Sequence, residues 1–241
     1  MKFNNPRFYM FSLSLRVFVL SFVCLLPCFA QKQDFIKAEF ITLAWDADIA
    51  ELWYQAADGN HKLDVYTRGF TSPVLYNGPS SIFLYDKEDD LKLLPEKRPA
   101  PKAVAKLPPA GGAFLLLFTI KDQANQTLNV QVINNGTDGF PAGAYRVFNL
   151  TKESSQVNMD NKIVPIGVGS VSIIRPDKGD DVRDMGVKIA LGDKVVYSSI
   201  WGHEESRRAT VFIVPSPEAL NGVIVKRFNQ AVLPPRQPAN P

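Results

Sequence analysis

The sequence predicts an all-β protein, an antiparallel β-sandwich arranged as two tandem immunoglobulin-like domains. Three observations carry that expectation. Short runs of β-branched and aromatic residues recur along the chain, closed by Gly, Pro, Asn or Asp at intervals of roughly 8–12 residues. Apolar spacing of the helical kind is nearly absent. A turn cluster, Asn134-Asn135-Gly136-Thr137-Asp138-Gly139, divides the strand-like runs into two sets. Each set covers about 90–105 residues, close to one immunoglobulin-like domain. One larger sandwich running across the turn is the alternative.

Residues 1–30 read differently from the rest. Lys2, Arg7 and Arg16 form a basic head, Val17 to Ala30 is uncharged and largely apolar, and Cys28-Phe29-Ala30 ends on a small residue. That layout predicts a signal peptide cut before Gln31, and therefore an exported protein, periplasmic or extracellular. The apolar stretch falls short of the ~20 residues of a membrane-spanning helix. Pro27 directly before Cys28 is a poor fit to a lipoprotein cleavage box. An uncleaved anchor and a lipidated cysteine stand as alternatives, and membrane contact is expected only through this segment.

Removing the leader changes the chemistry. The chain carries 27 Lys+Arg and 24 Asp+Glu, and the three basic residues of the leader account for the whole +3 charge. A formally neutral mature chain gives no support to a nucleic-acid partner. Cys24 and Cys28 are the only cysteines, so the mature chain has no disulfide and no cysteine metal site. Its core must stabilise it, and 211 residues suffice for that.

Along the mature chain, Phe35 to Trp45 alternates and ends at Asp46. Leu52–Gln55 and Leu63–Tyr66 flank the turn Ala57-Asp58-Gly59-Asn60. Ser81–Tyr85 and the apolar run Ala113–Ile120 follow, then Leu128–Ile133. Between them, 86–112 is an acidic, then Pro/Lys-rich excursion with an edge strand expected at Ala103–Ala105. Residues 31–134 thus form the expected N-terminal sandwich. The expected C-terminal one, 140–230, holds Ala144–Leu150, a hairpin turning at Asp160-Asn161, Val168–Ile174, Val187–Leu191, Val195–Trp201, Thr210–Val214 and Val223–Phe228. Asp48–Leu52 and Pro217–Leu220 could each form a helical turn. Residues 231–241 read as a Pro-rich tail, and no internal sequence repeat is evident.

Several segments resemble a family of uncharacterised exported bacterial all-β proteins with no assigned activity. They are Leu52-Trp53-Tyr54, Ser72-Pro73 with Tyr76-Asn77-Gly78, and Leu107-Pro108-Pro109 before Leu115–Phe118. The strongest is Phe140-Pro141-Ala142-Gly143-Ala144-Tyr145 leading to Asn149-Leu150; the last is Trp201 with Arg208 and Val211-Phe212. The resemblance implies an exported all-β protein and supplies no catalytic residue.

No catalytic constellation, cofactor motif or metal motif is recognisable, so an enzyme is not expected. His61 and His203 lack a nucleophile elbow and read as exposed loop residues. Asp177, Asp180, Asp181 and Asp184 share a loop with Arg175, Lys178 and Arg183 and read as a solvated turn. Asp46 and Asp48 could be a carboxylate pair, but turn capping is the commoner role. Asn125, Asn135 and Asn149 begin glycosylation sequons that matter only in a eukaryotic host. Aromatic residues are the remaining lead: Trp53, Tyr54 and Trp201 are the candidate binding residues, weighed against core packing. The expected function is a non-enzymatic envelope or secreted binding or structural protein whose partner is an envelope component, polysaccharide or protein. A carbohydrate-binding module, a carboxylate-dependent hydrolase and a strand-donating two-sandwich chaperone are the alternatives.

Overall fold

The computed structural model describes residues 35–124, 126–177 and 181–232. The leader expected at 1–30, most of the tail and the sequon residue Asn125 lie outside them. The protein is an all-β sandwich, 60% strand and 4% helix, and the described residues belong to one compact unit.

Sixteen strands are described. The first eight are β1 (Phe35–Ala44), β2 (Ile49–Ala56), β3 (Gly59–Val65), β4 (Val74–Pro79), β5 (Ser81–Leu84), β6 (Ala103–Lys106), β7 (Gly112–Asp122) and β8 (Thr127–Asn134). The second eight are β9 (Tyr145–Asn149), β10 (Ser155–Met159), β11 (Lys162–Ile166), β12 (Val171–Ile174), β13 (Val182–Leu191), β14 (Lys194–Glu204), β15 (Arg207–Pro215) and β16 (Val223–Ala231). The excursion after β5 holds one short α-helix, α1 (Glu88–Lys92), anchored by buried Leu91, and a 3-10 turn at Pro95–Lys97. Both sites where a helical turn was expected differ. Ile49 onward is strand, and Pro217–Leu220 is a plain turn.

The topology is duplicated. In the first half one sheet runs β4-β1-β7-β8, and in the second one sheet runs β12-β9-β15-β16. Each has a parallel pair at its centre, β1 with β7 and β9 with β15, flanked by antiparallel neighbours. The opposing sheets match as well: β11-β10-β13-β14 in the second half, and in the first the hairpins β2-β3 and β5-β6, joined by the single bridge Trp53–Tyr85. The first strand even leaves its sheet by the same bond in both halves, Trp45 N–H to Phe118 C=O and Leu150 N–H to Ile213 C=O, each 2.9 Å. This order differs from that of an immunoglobulin constant domain, where the first two strands are neighbours.

Three cores follow from strand alternation. In the first half Phe40, Phe114, Leu116 and Phe118 point inward against Leu52, Tyr54, Val65, Ile82 and Leu84. In the second, Val147, Val211 and Ile213 face Val157, Met159, Met185 and Ile189. The opposite faces of the two central sheets then pack on each other: Ile41, Leu43, Leu115 and Leu117 meet Phe212, with Trp45, Phe148 and Phe228 around it. The Phe212 ring lies 5.0 Å from both Trp45 and Phe148. Central strands buried on both faces must be apolar at every position. That is why Phe114–Phe118 and Val211–Ile213 read as unbroken apolar runs.

Candidate functional site

The three aromatic candidates do not come together. Trp53 and Tyr54 are successive on β2 and point to opposite faces. Tyr54 is buried in the first core, 6.1 Å from both Phe40 and Tyr76, while Trp53 is half-buried. Trp201 belongs to the second half and is buried beside Tyr145, its indole N–H donating to the Tyr197 hydroxyl at 2.9 Å. Strand alternation therefore takes Tyr54 and Trp201 out of any exposed aromatic platform, leaving Trp53 as the accessible ring.

The histidines divide in the same way. His61 is partly exposed, 2.8 Å from Asp58 through Nε2 and stacked on Tyr54. His203 corrects the expectation of an exposed loop residue: it is the last inward-facing residue of β14 and 1% exposed. Its Nδ1 is 3.0 Å from the Tyr145 hydroxyl and its Nε2 is 3.0 Å from Glu205 Oε1. One tautomer satisfies both, with Tyr145 O–H donating to Nδ1 and Nε2–H donating to the carboxylate. Burial pushes the Tyr145 hydroxyl up to about 12. The bond from His203, then nearby Arg175, holds the Glu205 carboxyl below its ordinary value. Gly143 (φ +73°) lets the carboxylate approach, since a Cβ there would sit 2.5 Å from Glu205 Oε2. The space beside Tyr145 is about 20 Å³, room for one water. This relay ties β9 to β14.

Two arginines hold the connection between the halves: Arg208, which the sequence resemblance names without a role, and Arg146, which the sequence did not flag. Arg146 and Arg208 are buried, with guanidinium carbons 4.1 and 4.8 Å from the centre of the Phe140 ring. Arg208 donates to the carbonyls of Phe140 (2.5 Å) and Asn135 (2.8 Å), and Arg146 to that of Asn134 (2.6 Å). Burial lowers both to about 10, which leaves both charged at neutral pH. The sequon asparagines Asn135 and Asn149 are buried as well. The amide of Asn149 donates to the carbonyls of Glu153, Ile166 and Gly167.

An open cleft of about 350 Å³ lies at one end of the first half. Its apolar lining is Ala47, Ile49, Ala50, Leu52, Ile120 and Leu128, and its polar lining is Asp48, Asp86, Gln123 and Gln126. The duplicated topology explains the opening. In the second half, β10 pairs with β13 along Ser155–Met159, and Gly192 N–H to Ser154 C=O continues the contact. In the first half, a register shift interrupts β2 between Ile49 and Leu52, and Glu51 there has φ +61°. β2 and β5 keep only the Trp53–Tyr85 bridge, and the chain departs at Asp86 for the excursion. Glu51 and the lining residue Gln126 (φ +50°) are two of three non-glycine residues with positive φ among the described residues. Such conformations cost free energy and gather at functional sites.

Asp46 and Asp48 each accept hydrogen bonds from a different segment. Asp46 accepts the amide of Ile120 at 2.8 Å, and Asp48 Oδ1 accepts the amide (2.6 Å) and hydroxyl (2.8 Å) of Thr67. The Thr67 bonds hold the Asp48 carboxyl below its ordinary value. The acidic loop at Asp177–Asp184 is partly outside the described residues, and Arg183 there donates to the Asp177 carbonyl. Among the described residues no group of three or more His, Cys, Asp or Glu could hold a metal ion. No helix there is long and apolar enough to cross a membrane. No protein-family model matches this chain, and no curated protein matches its sequence.

Proposed function

We propose that the chain is an exported, non-enzymatic binding protein of the envelope or the extracellular space, and that it binds through the cleft between Asp48 and Asp86. The observation that carries this reading is that the cleft lies where the first half departs from the second. A strained bulge at Glu51 and the departure of the chain at Asp86 hold open a corner that the second half closes with strand pairing. The leader-like segment at 1–30 supports export. The burial of Tyr145 and His203 supports a structural role for the Tyr145–His203–Glu205 relay over a catalytic one.

Co-sedimentation of the purified protein with peptidoglycan, outer-membrane vesicles and soluble polysaccharide tests it. Ala50→Trp fills the cleft from an exposed position and is expected to weaken saturable binding about tenfold or more, a loss of about 1.4 kcal/mol, without unfolding the protein. Trp53→Ala is expected to leave binding unchanged; loss there points to an aromatic sugar-binding face instead. Binding to no fraction, or binding that Ala50→Trp does not alter, overturns the reading.

A further inference from the structure

The lining of the cleft restricts what it can hold. No aromatic ring lines it, so a sugar would lack a stacking surface. No Lys or Arg lines it; Lys102 lies beside Asp86 and Arg68 acts on Asp48 from outside the lining, but the charges that the cleft itself presents are two carboxylates, which disfavour an anion. A wholly apolar ligand would strip water from Asp48 and Asp86 without replacing their hydrogen bonds. A cation with an apolar stem satisfies both parts of the lining.

We propose that the cleft binds a primary alkylammonium group, its ammonium held by Asp48 and Asp86 and its stem laid on Ile49, Ala50, Leu52, Ile120 and Leu128. This deepens the binding function proposed above and rests on it. An ammonium donates three hydrogen bonds. Asp48 offers its Oδ2, since both bonds from Thr67 fall on Oδ1. Asp86 already draws one ammonium, Lys102 Nζ at 3.1 Å from its Oδ2, and a ligand would share this carboxylate. Gln123 and Gln126 add amide oxygens at the rim. The volume of about 350 Å³ is at the lower end of small-ligand sites and admits one stem of lysine-like length. The same chemistry has two sources: a free aliphatic amine, and a lysine side chain displayed by a partner protein or peptide.

Amide-resolved NMR titration of the purified protein with pentylammonium, 1-pentanol, pentanoate and Nα-acetyl-lysine N-methylamide tests the proposal. Pentylammonium is expected to shift the amides of 47–52, 86 and 120–128, and to bind about tenfold more tightly than 1-pentanol, with pentanoate inert. Asp48→Asn keeps the oxygen that accepts from Thr67 and removes the charge. It and Asp86→Asn are each expected to weaken pentylammonium about tenfold, and added salt to weaken it in the parent. Binding of the blocked lysine at the same amides supports a lysine on a partner; its failure where pentylammonium binds supports a free amine. Equal binding of 1-pentanol and pentylammonium, or indifference to both Asn substitutions, overturns the amine class and leaves the cleft a binding site. If no probe shifts these amides, the amine proposal falls. The wider binding reading falls with it only if Ala50→Trp also leaves envelope binding unchanged.

Discussion

At the scale of single residues, His203, which the sequence suggests is an exposed loop residue, is among the polar groups that the fold buries most completely. His203 follows Trp201 by two positions on β14, so strand alternation carries it inward. Period-two spacing from Trp201 was the available signal, and the neighbouring Gly202 and Glu204 obscured it. His203→Ala removes a partner from both Tyr145 and Glu205 and is expected to cost about 2–4 kcal/mol in denaturant unfolding, from one stranded buried hydroxyl plus lost packing. Asn149→Ala removes the amide that donates to three carbonyls and the oxygen that accepts from Thr151; Glu153 and Ile166 keep hydroxyl donors in Thr151 and Ser155 while Gly167 loses its side-chain donor, and the change should cost a similar ~2–4 kcal/mol. The sequon reading hid that role, because an asparagine before Leu-Thr looks the same exposed or buried. Glu205 sets a pH dependence. Its folded carboxyl titrates below its ordinary value, so its contribution is complete above about pH 4.5 and is lost as pH falls through the lowered folded value. Glu205→Gln is expected to flatten the acid limb of a stability–pH profile in that window; an unchanged limb would assign acid sensitivity elsewhere.

Single elements were legible wherever one physical cause dominated. Ser81–Tyr85, Ala113–Ile120 and the hairpin at Asp160-Asn161 appear as β5, β7 and the β10–β11 turn within a residue or two. Alternation or continuous apolarity decides those segments. β2 is the contrary case, since Asp48–Leu52 suggested a helical turn and forms a bulged strand start instead. Its conformation depends on Asp64, whose carboxylate accepts the Glu51 amide at 2.8 Å from the neighbouring strand, a partner that local sequence does not reveal. The bulge makes a prediction at this scale. Glu51→Gly relieves a left-handed conformation and sacrifices only an exposed pair with Lys62. It is expected to leave stability unchanged or raise it by up to about 1 kcal/mol in chemical denaturation. A loss above that size would show that the Glu51 side chain itself holds the bulge. The cleft depends on this detail, so it could not be read from sequence even though each lining residue was visible there.

At the scale of the whole molecule, the duplicated topology was hidden because a β-core requires only that apolar residues alternate, and many sequences satisfy that. Phe118 and Ile213 occupy equivalent positions and share little beyond being apolar. The turn cluster at Asn134–Gly139 does separate two sets of strands, but what binds the sets together lies outside it. Phe212 sits among Trp45, Phe148 and Phe228, and Arg208 and Arg146 hold the connecting chain by its carbonyls. A shared apolar layer of this kind couples the halves, so the protein should unfold in one calorimetric transition whose van't Hoff and calorimetric enthalpies agree. Phe212→Ala is expected to cost about 3–5 kcal/mol and to separate the transition in two, because the lost contacts lie between the halves. Val211→Ala is the control: its side chain points into the second core alone. That change should lower the melting temperature of one half and draw the other down with it, keeping a single transition. If Phe212→Ala still melts as one unit, by calorimetry and circular dichroism alike, the coupling does not run through the aromatic layer and must be carried by the arginine-held connection.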